Sequence, residues 1–153
     1  MDEEIRNEGF SLVELVIVIA IMAILVALLA PQYIKYVEKS RMETDIEIAT
    51  SVHDAVTVAM ADENIEERPL DGFSDINIEQ IGVSGYTDKP YTEFVATIKS
   101  FLQVDDLGTI KNRFKSKAYS NEDIKVRVDG ATQKVTVTVS SNVPGSVDDL
   151  IIK

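Results

Sequence analysis

The sequence predicts an α+β fold in which a long N-terminal α-helix, whose first half spans a membrane, packs against a small antiparallel β-sheet head. Three observations support this prediction. All but two of the 21 positions from Phe10 to Ala30 are apolar. Residues 35–62 then repeat apolar side chains every three or four positions, as an amphipathic helix does. Two later segments alternate between apolar and polar side chains, as half-buried strands do.

The composition limits the kinds of protein this chain can be. It has 153 residues, which is too short for a two-domain enzyme. Its 15 basic and 26 acidic residues give a net charge of −11, which disfavours binding of nucleic acid or anionic lipid by the chain as a whole. The absence of Cys excludes disulfides and cysteine-ligated metals, and the single His excludes a multi-histidine site. We therefore expect no cofactor, no metal and no catalytic residue.

The first half of the helix is predicted to cross a membrane. The 20 residues from Leu15 to Ile34 carry no charge, and at about 1.5 Å per residue they reach roughly 30 Å, the thickness of the hydrocarbon core. A secretory signal peptide is the alternative, but the apolar stretch is too long for one. The residues around Ala30, with Leu28 before it and Pro31 after it, also suit a signal peptidase poorly. We assign residues 10–34 to a membrane span.

Glu14 is the acidic residue within this apolar sequence. A carboxylate at membrane depth costs about 2.5 kcal/mol or more unless it finds a partner. Two interpretations stay open from position alone. Glu14 is either a functional group or a solvated residue at the interfacial end of the span.

The residues around Glu14 resemble the N-terminus of type IV prepilins. The resemblance covers residues 9 to 42 and rests on the order Gly9-Phe10-Ser11-Leu12-Val13-Glu14-Leu15, followed by the apolar stretch and Pro31. In that family a membrane-embedded prepilin peptidase cuts after the glycine and N-methylates the new terminus. The resemblance implies a leader at residues 1–9, cleavage between Gly9 and Phe10, N-methylation of Phe10, and pairing of the Phe10 amine with Glu14 of a neighbouring subunit during assembly. The leader departs from the family because its charges sum to −3, whereas family leaders are usually basic.

The resemblance also implies a function. It implies a structural protein rather than an enzyme: a type IV pilus subunit, stored in the cytoplasmic membrane and assembled into an extracellular filament for adhesion, twitching motility or DNA uptake. Its implied partners are other copies of itself, the prepilin peptidase, an assembly platform with its ATPase, and the membrane. A minor pilin and a pseudopilin of type II secretion or competence are alternatives within the family. Outside it, the alternative is a single-pass membrane-anchored enzyme or receptor. The lack of Cys favours a Gram-positive type or an anaerobic source, since pilins of diderm bacteria often carry a disulfide.

The predicted helix runs from about Phe10 to Asp62 and contains Pro31. Proline removes a backbone hydrogen bond, so we expect a kink or local melting there, which would help the helices repack during assembly. The alternative is a tolerated kink with no role. The amphipathic half, residues 35–62, directs one apolar face toward the head, formed by Met42, Ile46, Ala49, Val52, Val56 and either Ala59 or Met60.

The head is predicted to occupy residues 63–153. Residues 70–90 read as a variable connection with only short order, because Gly and Pro interrupt them. A short helix is expected at about 92–103, and a hairpin at about 124–139 from strands 124–128 and 134–139. A two-stranded hairpin is marginal alone, so we expect a third strand within 118–121 or 76–83.

The remaining candidate sites each have a plainer explanation. His53 has no second His and reads as structural. A basic alternation could bind DNA, anionic glycans or an acidic neighbour in the filament, although a solvated face is the simpler interpretation; it comprises Lys111, Arg113, Lys115 and Lys117. The acidic residues 62–75 could gather Ca²⁺ but lack EF-hand spacing. Residues 82–85 match no phosphate-binding loop.

Overall fold

A computed structural model of the chain describes residues 10–83, 86–87, 91–143 and 148–153. The chain divides into two compact units, residues 1–37 and 38–153. Helix α1 covers Leu12–Ala61 and α2 covers Thr92–Leu102; the strands are β1 (Gly72–Asn77), β2 (Ile124–Asp129), β3 (Val135–Val139) and β4 (Leu150–Ile152). Short 3₁₀ helices occupy Ile78–Gln80 and Leu107–Arg113. The predicted α+β class, a long N-terminal helix followed by a small antiparallel sheet, is confirmed.

The first unit contains the apolar half of α1. The most apolar 18-residue window of this helix has a mean hydropathy of 3.2, and none of the window is buried, so α1 is long and apolar enough to cross a membrane. The helix continues through Pro31 without interruption. The structure therefore shows no melted segment at Pro31, and a change of conformation there during assembly stays a prediction.

The second half of α1 supplies one wall of the head core. Its buried positions recur every three or four residues, namely Asp45, Ala49, Val52, Ala55, Val56, Ala59 and Met60. The face differs from the predicted one at its start, where Asp45 is fully buried and Ile46 is 41% exposed. The reason is a polar contact, because the Asp45 carboxylate accepts hydrogen bonds that compensate its burial.

The sheet is an antiparallel meander with strand order β1-β2-β3-β4. In the β2–β3 hairpin, Ile124 faces Val139, Val126 faces Val137, and Val128 faces Val135. These residues alternate with exposed or half-buried ones, as the sequence pattern indicates. The buried face joins α1 and α2 in one apolar core.

The prediction for the third strand was partly wrong. Residues 118–121 form turns. The range 76–83 overlaps β1 only at Ile76 and Asn77, the last two residues of the strand. The apolar and polar residues of β1 do not alternate regularly, because its pairing with β2 shifts between Phe73 and Ile76. Within this shift Asp75 adopts a φ of 45°. It also places a strand in residues 70–90, which the sequence predicts to be a connection with short order. β4 has three residues, too few to show a period.

Two further features complete the head. α2 ends one residue before its predicted limit and buries Phe94, Ile98 and Leu102. The segment carrying β4 is held by Tyr119, whose hydroxyl donates to the carbonyl oxygen of Asp148 at 2.9 Å. Burial raises the pKa of that hydroxyl, with the nearby carboxylates of Asp149 and Asp148 adding to the effect.

Candidate processing and assembly site

The candidate site begins where α1 begins. The backbone N–H of Ser11 donates to Oε2 of Glu14 at 2.9 Å, and the Leu15 N–H donates to the Ser11 carbonyl at 3.2 Å. Ser11 therefore stands in the N-cap position, and Glu14, three residues later, reaches back to it. This is one half of a capping box, in which an acidic side chain satisfies a backbone donor that the helix cannot.

Sequence reasoning missed this role for Glu14. The signal was present, since Ser11 and Glu14 have the Ser-x-x-Glu spacing of a capping box. The cap offers a third interpretation beside the functional and solvated ones, because in the isolated chain the carboxylate already has a local partner. A carboxylate has about four lone-pair positions, so one backbone contact leaves capacity for an ammonium group.

Phe10 lies directly before the cap and is 79% exposed. Gly9 and the rest of the predicted leader, residues 1–9, lie outside the described residues, and so does the geometry of the predicted cleavage site. Cleavage before Phe10 would place a new amine one residue from the Ser11–Glu14 contact. The chemistry at hand is then the pairing of an ammonium with a carboxylate rather than a bond-breaking reaction.

The surface that follows the cap is apolar on every side. Leu12, Val13 and Leu15 are each more than half exposed, and the exposure continues through Leu28 and Leu29. A contiguous exposed apolar surface of this extent marks a site of contact with lipid or with other proteins. The site thus combines a capped helix start with a first half of α1 whose apolar side chains are exposed among the described residues.

The four residues of the basic alternation lie in two different kinds of backbone. Lys111 and Arg113 lie in a 3₁₀ helix, where Lys111 Nζ is 3.7 Å from Glu79 Oε2 and Arg113 donates to the Leu102 carbonyl at 3.4 Å. Lys115 and Lys117 follow in a loop and are exposed. The four residues therefore do not share the face of one strand.

The structure gives the contacts of His53 and of the acidic residues 62–75. His53 Nδ1 is 3.3 Å from Asp54 Oδ1 on the same helix. Within the described parts of the chain, no three His, Asp or Glu side chains gather as a metal site. The acidic residues 62–75 instead include Asp75, whose pKa is lowered by its hydrogen bond from Arg127.

The comparisons with known proteins agree with the geometry of the N-terminus. A family model described as the prokaryotic N-terminal methylation motif matches residues 6–30, which include Phe10, Ser11 and Glu14. No curated protein and no solved structure matches the chain. The match ends before the head begins, so it bears on the start of α1 alone. At its N-terminus the chain carries the methylation motif that is the signature of type IV prepilins.

Proposed function

We propose that this chain is the structural subunit of a type IV pilus. At the coarser level, the motif supports a type IV pilin-like or pseudopilin precursor. The observation that carries the finer proposal is the position of the motif, because residues 6–30 include the start of α1, where the apolar side chains of the described residues are exposed. A protein of this type acts by assembling, and its motif family is structural rather than enzymatic.

The apolar half of α1 requires two successive environments in this proposal. Burying one large apolar side chain contributes about 1.5–3 kcal/mol, and this half carries many such side chains exposed. Lipid covers them in the stored precursor. In the filament, the same helices of neighbouring subunits cover them, so transfer from membrane to filament exchanges one apolar environment for another.

Processing prepares the helix for that exchange. Prepilin peptidase would remove residues 1–9 and methylate the amine of Phe10, as the resemblance to prepilins implies. The amine of an incoming subunit would then pair with Glu14 of a subunit already in place, and this pairing would set the register of assembly. An assembly platform and its ATPase would extract the subunit from the membrane.

Imaging of the producing cells tests this proposal against the alternatives. We expect surface filaments that bind an antibody raised against the head and that disappear when the gene is deleted. Filaments seen only on overexpression would indicate a pseudopilin instead. Protein that remains wholly in the membrane fraction, with no filament at any expression level, would favour a membrane-anchored receptor and contradict the proposal.

A further inference from the structure

The charges of the head are segregated along the second half of α1. Residues 38–45 and 111–117 contain six Lys or Arg against three Asp or Glu, although the whole chain has an excess of acid. The fold brings these two segments together, because Glu38 accepts from the Lys117 N–H and Asp45 accepts from the Lys115 N–H at 2.9 Å. We name the exposed cations of this region the basic end: Lys39, Arg41, Lys115 and Lys117.

The opposite charge collects where α1 stops. Glu63, Glu66 and Glu67 are exposed just after Ala61, and Glu66, Glu67 and Glu93 line one shallow depression. These four glutamates are named the acidic end. From Glu38 to Ala61 the helix rises by about 35 Å at 1.5 Å per residue, so the two ends lie far apart on the same head.

Much of this charge is uncompensated within the chain. Among the described residues, Lys39 and Arg41 pair with carboxylates of their own helix, the exposed Glu43 at 3.9 Å and the half-buried Glu38 at 3.8 Å, and surface pairs at such distances contribute little. Lys115 Nζ donates to a neutral group, the Asn112 carbonyl, at 2.8 Å. Among the described residues, neither Lys115 nor Lys117 forms an ion pair with a carboxylate.

The acidic end is uncompensated as well. Arg68 is the basic residue nearest to it along the chain, but its guanidinium donates to the carbonyls of Met60 and Ile65, each at 3.0 Å. In the described part of the chain, none of the four glutamates pairs with a Lys or Arg. Carboxylates this close together on one surface repel each other and attract a basic partner.

We propose that the basic end of one head docks on the acidic end of the head of a second copy of this chain. A two-fold contact between identical ends would bring like charges together and is disfavoured. A head-to-tail arrangement, in which the basic end of each head meets the acidic end of the next, is heterologous, and a heterologous contact that does not close produces an open helical assembly. This inference rests on the proposed function, since it assigns a head-to-head contact to the filament whose core is α1.

A charge swap in the producing cell tests the contact. One variant carries Lys115→Glu with Lys117→Glu, a second carries Glu66→Lys with Glu67→Lys, and a third combines all four changes. The hydrogen bonds to Asp45 and Glu38 of α1 come from the backbone N–H groups of Lys115 and Lys117, so substitution of the two side chains leaves these bonds in place. The matched control is Lys125→Glu with Lys134→Glu, which reverses two exposed charges on the hairpin.

The measurement is the ratio of sheared filament to mature membrane pool for each variant. We expect each two-residue variant to lower the ratio by about tenfold or more, the combined variant to recover it, and the control to match the wild type. If the variant with Lys115→Glu and Lys117→Glu does not accumulate in the membrane, Lys115→Gln with Lys117→Gln replaces it. This variant removes the positive charges without adding negative ones, and we expect it to lower the filament ratio by a smaller factor.

Two results would overturn the inference. One is normal assembly of the Glu66 and Glu67 variant. The other is a combined variant whose filament ratio stays low although its amount of processed protein in the membrane is normal. That result would assign the basic end to another acidic partner such as anionic lipid. A wild-type chain that forms no filament would instead defeat the proposed function itself.

Discussion

The carboxylate of Asp45 on α1 accepts a hydrogen bond from the backbone N–H of Ser116 at 2.9 Å. Both residues are fully buried. The same carboxylate accepts from the Lys115 N–H at 2.9 Å, so two charge-assisted hydrogen bonds offset the cost of removing the charge from water. One side chain thus ties α1 to the segment that leads into β2.

Replacement of Asp45 is expected to destabilise the head. Asp45→Ala leaves buried donors without partners and should cost about 2–4 kcal/mol of unfolding free energy. Asp45→Asn should cost less, because its amide oxygen still accepts one hydrogen bond. Urea unfolding of the detergent-solubilised chain can be followed by tyrosine emission, since the chain has five Tyr and no Trp. Equal midpoints for Asp45→Ala and for Glu47→Ala, an exposed control on the same helix, would refute this role.

Gly130 is expected to be indispensable at the β2–β3 turn. A Cβ at this position would lie 2.6 Å from the carbonyl carbon of Asp71, a backbone atom directly before β1 that cannot move away as a flexible side chain can. Gly130→Ala should therefore cost about 1–3 kcal/mol in the same unfolding measurement. Gly108→Ala is the control, because its Cβ would meet Glu79 Oε2 at 2.8 Å, the far end of a flexible side chain. A larger loss at Gly108 than at Gly130 would contradict this interpretation.

The turn also makes the head sensitive to acid. Hydrogen bonds from the backbone N–H and the side chain of Thr132, with a further one from the Ala131 N–H, lower the pKa of Asp129 below its ordinary value of 3.8. A lowered pKa in the folded state means that the stabilisation is present above pH 3.8 and is lost as the pH falls through the folded value. Asp129→Asn keeps an acceptor oxygen but cannot ionise.

We expect the wild type to have a higher urea midpoint than Asp129→Asn at pH 7. This difference in midpoint should decrease as the pH falls and Asp129 becomes protonated. The comparison needs unfolding curves of both proteins at neutral pH and at about pH 3. A difference that stays constant across that range would show that ionisation of Asp129 plays no part.

Two substitutions of Glu14 separate its roles as cap and as charge. Glu14→Gln can keep the hydrogen bond to the Ser11 N–H but has no charge to pair with an amine. Glu14→Ala loses both. If pairing with the Phe10 amine governs assembly, both variants should enter the membrane and be processed, yet both should yield few filaments. Normal filament yield from Glu14→Gln would show that the cap alone matters.

Local features of this fold could be predicted from the sequence, and distant contacts could not. The extent of α1, the strands β2 and β3, and α2 follow from periods that each segment carries in itself. β1 and β4 were not predicted as they stand, because an irregular pairing at Asp75 and a three-residue length leave no period. The burial of Asp45 depends on partners about 70 residues away along the chain, which its own segment does not reveal.

The candidate site follows the same rule. Gly9, Phe10 and Glu14 form a contiguous motif, so the sequence alone brought them together. The contact of Ser11 with Glu14 is also local and has a recognised spacing. The basic end, in contrast, joins α1 to residues 111–117 through tertiary contacts, and the sequence indicated only one of its two segments.

Mass spectrometry of the surface-sheared fraction tests the central claim most directly. The account predicts a mature chain that begins with N-methylated Phe10 and lacks residues 1–9, recovered together with the filaments. A sheared chain that retains Gly9, or one whose N-terminus lies elsewhere, would contradict it.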